Sequence, residues 1–419
     1  MHRQAPPDTL SPSPPRRSAP SGAAAWWHRH GYVLRALGVS AALGLCGVLV
    51  MILVRQETGP EGFLVGLGLA LLPLPLLLGL FRWIDRVEPR PWRNLAFAFA
   101  WGSCAATLMA LVANGLVVGW LTGDTASMAP SRADTLELTV VAPVIEESAK
   151  AAAILLLFLH RPGAFDGVTA GLVTAGVTAT GFAFTENILY LGSAFADDRM
   201  LGTPAIDSAT ATTFFVRIVM APLAHPLFTA LTGVGFGLAA LLPVRRKVCR
   251  VLLPVTGLAA AMGLHSAWNA STSLALLGFG AVYLLLMLPL LGLLGWLAVW
   301  SQQSELRAIR DTLPAYAEAG WLAEPEPHAL GSLRSRALAR RLARRDHGPA
   351  GARAVAGYQS AATSLALLRR RADRGVIVPD FTAREMDLLL RLRRHQPLAA
   401  GPTIAAALAE ARPHIPAHW

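Results

Sequence analysis

The segment Ala36–Val54 reads ALGVSAALGLCGVLVMILV and contains no Asp, Glu, Lys, Arg or His. A helix needs about 20 predominantly apolar residues to cross the hydrocarbon core of a bilayer, so this segment is long enough to span one. It is longer than the hydrophobic part of a secretory signal peptide, and no small-residue cleavage motif closes it. Seven more apolar segments follow, approximately at 62–81, 95–121, 137–159, 167–193, 213–242, 251–271 and 276–299. The sequence therefore predicts an all-α, polytopic transmembrane helix bundle of about eight spans.

The composition of the whole chain agrees with a membrane protein. Apolar residues make up 54% of the 419 residues and charged residues only 15%. A soluble domain carries about 25% charged residues, so the composition argues against an ordinary soluble enzyme. The three cysteines, Cys46, Cys104 and Cys249, have no paired spacing, which argues against a disulfide framework or a zinc finger.

The basic residues predict the orientation of the bundle. They concentrate in the N-terminal segment and in the loops after the even-numbered spans, and the other loops hold few of them. By the positive-inside rule this pattern places both termini in the cytoplasm of a multi-pass protein of the cell membrane. The basic residues that decide the orientation are Arg16, Arg17, Arg29, Arg35, Arg82, Arg86, Arg90, Arg93, Arg245, Arg246, Lys247 and Arg250.

The chain divides by composition into three parts. Residues 1–30 are rich in Pro, Ser, Ala and Arg and are predicted to be disordered. Residues 31–300 form the bundle, and residues 301–419 form a small, basic, helical cytoplasmic domain. Its arginine clusters suit anionic lipid headgroups or a cytoplasmic protein, or they are simply a solvated helix surface. Nucleic acid is an unlikely partner because no recognition motif accompanies the charge. The clusters are Arg340, Arg341, Arg344, Arg345, Arg369, Arg370 and Arg371.

Ionisable residues occur in four consecutive spans, the fourth to the seventh. An ionisable side chain at mid-membrane costs roughly 2.5–3.5 kcal/mol on insertion scales, so such residues normally mark function. With a rise of about 1.5 Å per residue, four of them are expected in one layer in the outer half of the bilayer. Those four are Glu146, Glu186, His225 and His265.

Helical geometry assigns roles to the neighbouring residues. Glu146 and Glu147 diverge by about 100°, so one faces the reaction centre and the other pairs with Lys150 one turn away. Pro226 predicts a kink or opening beside His225. Asn269 lies one turn from His265 and is expected to orient it or to stabilise an oxyanion.

Two further features of these spans are interpreted structurally. Arg217, at the outer end of the sixth span, is interpreted as an interface anchor. Gly171, Gly176 and Gly181 in the fifth span are expected to allow close helix packing.

The chemistry of this set is that of peptide hydrolysis by an activated water. Two histidines and a glutamate from separate helices suit a divalent metal such as zinc with an open position for water, and a further carboxylate is then a general base. We predict catalytic residues Glu146, Glu147 and Asn269, metal-binding or water-activating residues Glu186, His225 and His265, and supporting residues Lys150, Phe182 and Asn187.

Two other classes of protein would also bury such residues. A proton- or metal-coupled transporter places Glu and His at mid-depth, although the spans show no internal repeat. A membrane scaffold whose basic tail recruits a cytoplasmic partner is the third class, and for it the glutamates would be dispensable.

At these residues the chain resembles the PrsW family of intramembrane proteases, within a superfamily that includes the type II CAAX prenyl endopeptidases and the Abi (CPBP) proteins. The resemblance runs from about residue 84 to residue 269. It implies a membrane-embedded endopeptidase, expected to be a metalloprotease, that cleaves a membrane-anchored protein such as an anti-sigma factor. The CAAX branch leaves open whether a metal or Glu and His alone activate the water. The matching patterns are Glu146-Glu147-x-x-Lys150, Phe182-x-x-x-Glu186-Asn187, the isolated His225, His265-x-x-x-Asn269 and the loop DRVEPRPWRN at 85–94.

Overall fold

The structure of the protein is a computed structural model, which describes residues 22–123, 130–161, 165–204, 207–274, 276–376 and 380–411. The chain divides into two units, Met1–Leu45 and Cys46–Trp419. Residues 1–21, most of the segment predicted to be disordered, lie outside the described residues. In the first unit residues 22–45 are helical, so a helix begins inside that segment. Every candidate site residue lies in the second unit.

The described residues form helices and contain no β-strand, which confirms the predicted all-α class. The helices that precede the C-terminal region are α1 (Gly22–Leu71), α2 (Leu74–Ile84), α3 (Trp92–Ala100), α4 (Thr107–Thr122), α5 (Pro130–Leu136), α6 (Ala142–His160), α7 (Val168–Leu201), α8 (Ala209–Phe214), α9 (Ala224–Ala240), α10 (Lys247–Ser271) and α11 (Leu276–Val282). Wider π-helical turns adjoin several of them, at Trp101–Ala106, Glu137–Val141, Phe215–Met220 and Tyr283–Met287. Such turns are frequent at functional sites.

Six helical stretches within the described residues are long and apolar enough to cross a membrane, against about eight predicted spans. The first, Val33–Ile84, contains two predicted spans, and α1 kinks between them at Gly59, where φ is 68°. The predicted fourth span, 137–159, is helical but is not among the six, because its charged residues make it too polar. The polytopic bundle is thus confirmed, and the number of crossings stays a prediction.

Small residues bring α7 close to its neighbours. Nearly all residues in the first half of this helix are buried, so it lies at the centre of the bundle. Gly171, Gly176 and Gly181 are the close-packing glycines that the sequence predicts. A Cβ at these positions would overlap the Gly233 carbonyl oxygen, the Phe81 ring and the Phe99 carbonyl oxygen, respectively. The absence of side chains there lets α2, α3 and α9 approach the α7 backbone.

The chain remains helical after Trp300, as predicted. Helix α12 (Leu288–Glu318) runs through the predicted domain boundary without a break, and α13 (Glu326–Leu330), α14 (Leu333–Asp373) and α15 (Phe381–Ala411) follow. These helices have an apolar core of their own, which includes Leu306, Ile309, Leu313, Tyr358, Leu365 and Leu392.

Buried polar groups connect the C-terminal helices to the loop that precedes α3. Arg336 donates a hydrogen bond to the Val87 carbonyl oxygen at 2.8 Å, and Arg90 pairs with Asp166 at 2.9 Å just before α7. Burial and the nearby Asp166 carboxylate raise the pKa of Glu88 well above its ordinary value. The loop therefore holds the C-terminal helices against the start of the central helix.

Candidate active site

Helix α6 supplies a buried ion cluster. Lys150 Nζ lies 2.9 Å from Glu147 Oε1 and 3.2 Å from Glu146 Oε2. Lys150 and Glu147 are completely buried, whereas Glu146 keeps 7% of its surface exposed. The i, i+3 and i, i+4 spacings bring all three side chains to one side of the helix, so both glutamates contact the lysine where the sequence predicted that one would.

Glu147 positions His265. Its Oε2 accepts a hydrogen bond from the Thr229 hydroxyl at 2.8 Å, and its Oε1 lies 3.1 Å from His265 Nδ1. A carboxylate accepts only, so Nδ1 carries the proton and the lone pair of the imidazole is on Nε2. That Nε2 lies 3.9 Å from Glu146 Oε2. His265 Nε2 and Glu146 Oε2, both hydrogen-bond acceptors, therefore face each other across a short gap.

His225 stands at the start of α9, directly after a break in the helix. The π-helical turn Phe215–Met220 ends before it and α9 begins at Ala224, so the opening predicted from Pro226 is present. Pro226 lies in the first turn, where its missing N–H costs nothing. His225 Nδ1 lies 3.1 Å from Lys150 Nζ, and Nε2 lies 2.6 Å from a carboxylate oxygen of Glu186. Because the ammonium only donates, Nδ1 accepts and Nε2–H donates to Glu186.

Arg217 is a site residue that the sequence interpretation missed. It pairs with Glu186, and its Nε donates to Asn187 Oδ1 at 2.7 Å. The sequence interpretation, an interface anchor, did not include these contacts. The signal was an arginine within a long apolar run, which in a membrane usually requires a carboxylate partner. Thr229 was also missed, although it lies one turn after His225 on the same face of α9.

Aromatic rings enclose the cluster. Lys150 Nζ lies 3.8 Å from the centre of the Phe182 ring, and Phe228 stacks on His265 with 4.7 Å between ring centres. The rings of His225 and His265 are 5.2 Å apart and nearly perpendicular. Phe182 thus contacts the lysine, and the low local polarity strengthens the ionic contacts.

Asn269 has a different neighbour from the one expected. Its amide donates to the Leu138 carbonyl oxygen at 2.8 Å, in the π-helical turn before α6. In that turn the carbonyl of Leu138 would receive the N–H five residues on, but Pro143 has none. Asn269 therefore joins α10 to the entry of α6, and Glu147, not Asn269, orients His265.

Three residues converge on a common point, and one of them is not in the predicted ligand set. Glu146, His225 and His265 are all buried, and each offers a ligand atom within 4.8 Å of the other two. The sequence predicted Glu186 in place of Glu146. Glu186 pairs with Arg217 instead and does not belong to the group of three. Two imidazoles and one carboxylate are the donor set of one class of catalytic zinc site, and the carboxylate on His265 Nδ1 is a usual outer-shell partner, so these residues fit a divalent metal.

A cavity of about 290 Å³ opens onto this cluster. Glu146 and Glu186 are among its polar lining residues, and Phe182, Thr185 and Tyr190 also line it along α7. Glu146 is therefore both a member of the buried cluster and part of the cavity wall.

Comparison with known proteins gives one family and no individual relative. No match was found among the curated proteins or among the solved structures. The placement in the CAAX and Abi superfamily therefore stays a prediction. A family sequence model matches residues 90–294, just under half of the chain, and this segment holds the whole Glu, His and Lys cluster. The segment that carries the site is thus similar to the family described as PrsW family intramembrane metalloprotease.

Proposed function

We propose that this protein is an intramembrane endopeptidase that hydrolyses a peptide bond of a membrane-anchored protein. The observation that carries the proposal is the double position of Glu146, which lies in the buried cluster and also in the cavity wall. A carboxylate so placed reaches both a water held by the cluster and a polypeptide in the cavity. The family match supports a protease over a transporter.

Glu146 is the general base in this proposal. The 3.9 Å between Glu146 Oε2 and His265 Nε2 suits one water that donates to both acceptors. The water oxygen attacks the carbonyl carbon of the scissile peptide, and Glu146 takes its proton. When the C–N bond breaks, Glu146 returns that proton to the leaving nitrogen, which gives a carboxylic acid and an amine.

A divalent metal fits the same place as an alternative to this general-base arrangement, and Glu146, His225 and His265 are the residues that would hold it. A bound ion such as zinc lowers the pKa of a water ligand and polarises a carbonyl group. Glu147 would keep the His265 lone pair directed at the ion, and Glu186 would fix the tautomer of His225, whose Nδ1 would have to exchange its contact with Lys150 Nζ for the ion.

Metal content tests this part of the proposal. Purified protein should carry about one divalent ion per chain, and His265→Ala should lose it because one of three protein ligands is gone. His160→Ala is the matched control, since His160 is exposed at the end of α6. Elemental analysis gives the stoichiometry, and a chelator should release the ion and stop cleavage. If the metal-free wild type cleaves at its full rate in the presence of chelator, Glu146 and the histidines activate the water without an ion.

The substrate class is tested in whole cells. We propose a membrane-anchored protein, of which an anti-sigma factor is one example by the family resemblance. New protein termini in the membrane fraction should be present with the wild type and missing with Glu146→Gln at equal expression. Identical termini in the two strains would reject the protease, and ion flux in proteoliposomes would then favour a transporter.

The placement of the chain in the cell membrane, with both termini in the cytoplasm, is part of the same proposal. Five of the seven predicted arginines lie exposed on α14, where they suit anionic headgroups or a cytoplasmic protein. Arg370 is used internally instead, since it donates to the Ser304 carbonyl oxygen at 2.8 Å. The exposed residues are Arg340, Arg341, Arg344, Arg345 and Arg369.

A further inference from the structure

The cavity at Glu146 continues into a second cavity. The second has a volume of about 370 Å³ and shares four lining residues with the first. The shared residues come from α1, α4 and α7, so the two cavities form one groove between these helices. We call it the access groove and define it by Val54, Leu111, Gly115 and Leu189.

The lining of the access groove is mainly apolar in its outer part and more polar in its inner part. Its outer part is lined mainly by apolar side chains, among them Leu53, Val112 and Leu116. Its inner part ends at Glu146 and Glu186. An apolar polypeptide segment can thus lie along the outer part while one of its peptide bonds reaches the cluster.

Asn114 supplies an unused hydrogen-bond acceptor in the inner part. Its Oδ1 is buried and has no partner among the described residues, and the residue lines the cavity beside Glu146. A buried acceptor without a donor is costly, and such groups in native proteins usually have a role. The backbone N–H of an extended chain is a donor of the right kind, whereas the N–H groups of an intact helix are already used.

The charge of the lining favours a basic segment. The residues that line the two cavities include four glutamates and no lysine or arginine. Lys150 offsets Glu146 and Arg217 offsets Glu186, but no basic residue among those lining the groove accompanies Glu57 and Glu137.

We propose that the access groove binds one extended, apolar segment of the substrate polypeptide that carries a basic residue near Glu57 and Glu137. Asn114 Oδ1 accepts a backbone N–H of this segment and so positions the scissile bond over Glu146. The proposal rests on the proposed function, because it assigns the substrate path of that same site.

Two glycines of α4 provide a test with a matched control. Nothing lies within 4 Å of a Cβ built on Gly115 or on Gly119, so a side chain at either position starts into open space. Only Gly115 lines the groove. Gly115→Leu therefore fills the groove, and Gly119→Leu makes the same change one turn away.

Photo-crosslinking of the full chain in liposomes reads out binding directly. The probe is a biotinylated apolar peptide with a central Gly-Pro pair, lysines at one end and a benzophenone side chain, and a second peptide carries glutamates instead. The lysine peptide should label residues 111–116 in the wild type and in Gly119→Leu, and labelling should fall at least about tenfold in Gly115→Leu. Equal labelling of all three proteins, or of the wild type by both peptides, would overturn the proposal.

Kinetics on a cleaved substrate tests Asn114. Asn114→Leu keeps the shape and removes the acceptor, so KM should rise about fivefold with kcat little changed, and Asn114→Asp should restore KM in part. A fall in kcat alone would contradict the positioning role.

The two proposals fail in different ways. Labelling in the groove without any cleaved membrane protein would reject the protease and keep the groove. Cleavage at the wild-type rate by Gly115→Leu would reject the groove and keep the protease.

Discussion

Replacing Glu146 by glutamine is expected to lower kcat by roughly 10²- to 10⁴-fold, the usual contribution of a general base. The amide has nearly the shape of the carboxyl group but cannot take a proton from water. Lys150 keeps its contact with Glu147 at 2.9 Å, so the buried cluster retains an ion pair and the fold should persist. Cleavage rates of the purified protein and thermal melts in detergent separate the two effects.

Replacing the adjacent Glu147 should affect stability as well as activity. Glu147→Gln removes the carboxylate that contacts Lys150, Thr229 and His265, so both activity and stability should fall. Asp197→Asn, at the exposed end of α7, is the control for the loss of a carboxylate and should match the wild type. Cleavage by Glu146→Gln within a few-fold of the wild type would remove Glu146 from the reaction and with it the assigned mechanism.

Replacing Lys150 by methionine is expected to cost about 3–5 kcal/mol of unfolding free energy, as for other broken buried ion pairs. Lys150 is fully buried and contacts both Glu146 and Glu147, so its loss leaves two carboxylates without their cation. It also removes the donor to His225 Nδ1, which frees that ring to turn. Denaturant unfolding in detergent measures the loss, with Lys247→Met, the exposed lysine at the start of α10, as the control.

A second substitution distinguishes electrostatics from packing. In the double variant Glu147→Gln, Lys150→Met, no carboxylate remains at position 147 to be left uncompensated, so part of the lost stability should return. If the double variant loses the sum of the two single effects, Lys150 acts through its packing against Phe182 and the ion cluster is not what stabilises this region.

The local sequence was sufficient for the class of fold and for most residues of the cluster. Long apolar runs imply helices in a membrane because a backbone in lipid must satisfy its own hydrogen bonds. Glutamates, a lysine and histidines within such runs are costly, so they are expected to meet. Glu146, Glu147, Lys150, Glu186, His225 and His265 do so in the structure.

Hydropathy along the sequence did not show how central each predicted span is to the bundle. The polar character of 137–159 places it outside the six helices that qualify by composition, although it carries the central cluster. A helix that contributes charges to an interior is surrounded by other helices, so its own hydropathy understates its place in the bundle.

The sequence by itself determined which elements exist and which side chains need partners, because helical period and apolar length are local properties. Only the tertiary structure decided the pairs: Arg217 with Glu186, Thr229 with Glu147, and Asn269 with the carbonyl of Leu138. These contacts join residues from different helices, and their geometry depends on how α6, α7, α9 and α10 rotate and pack. For that reason it is Glu146 that offers a carboxylate oxygen within 4.8 Å of ligand atoms of both histidines, which no spacing along one helix could have shown.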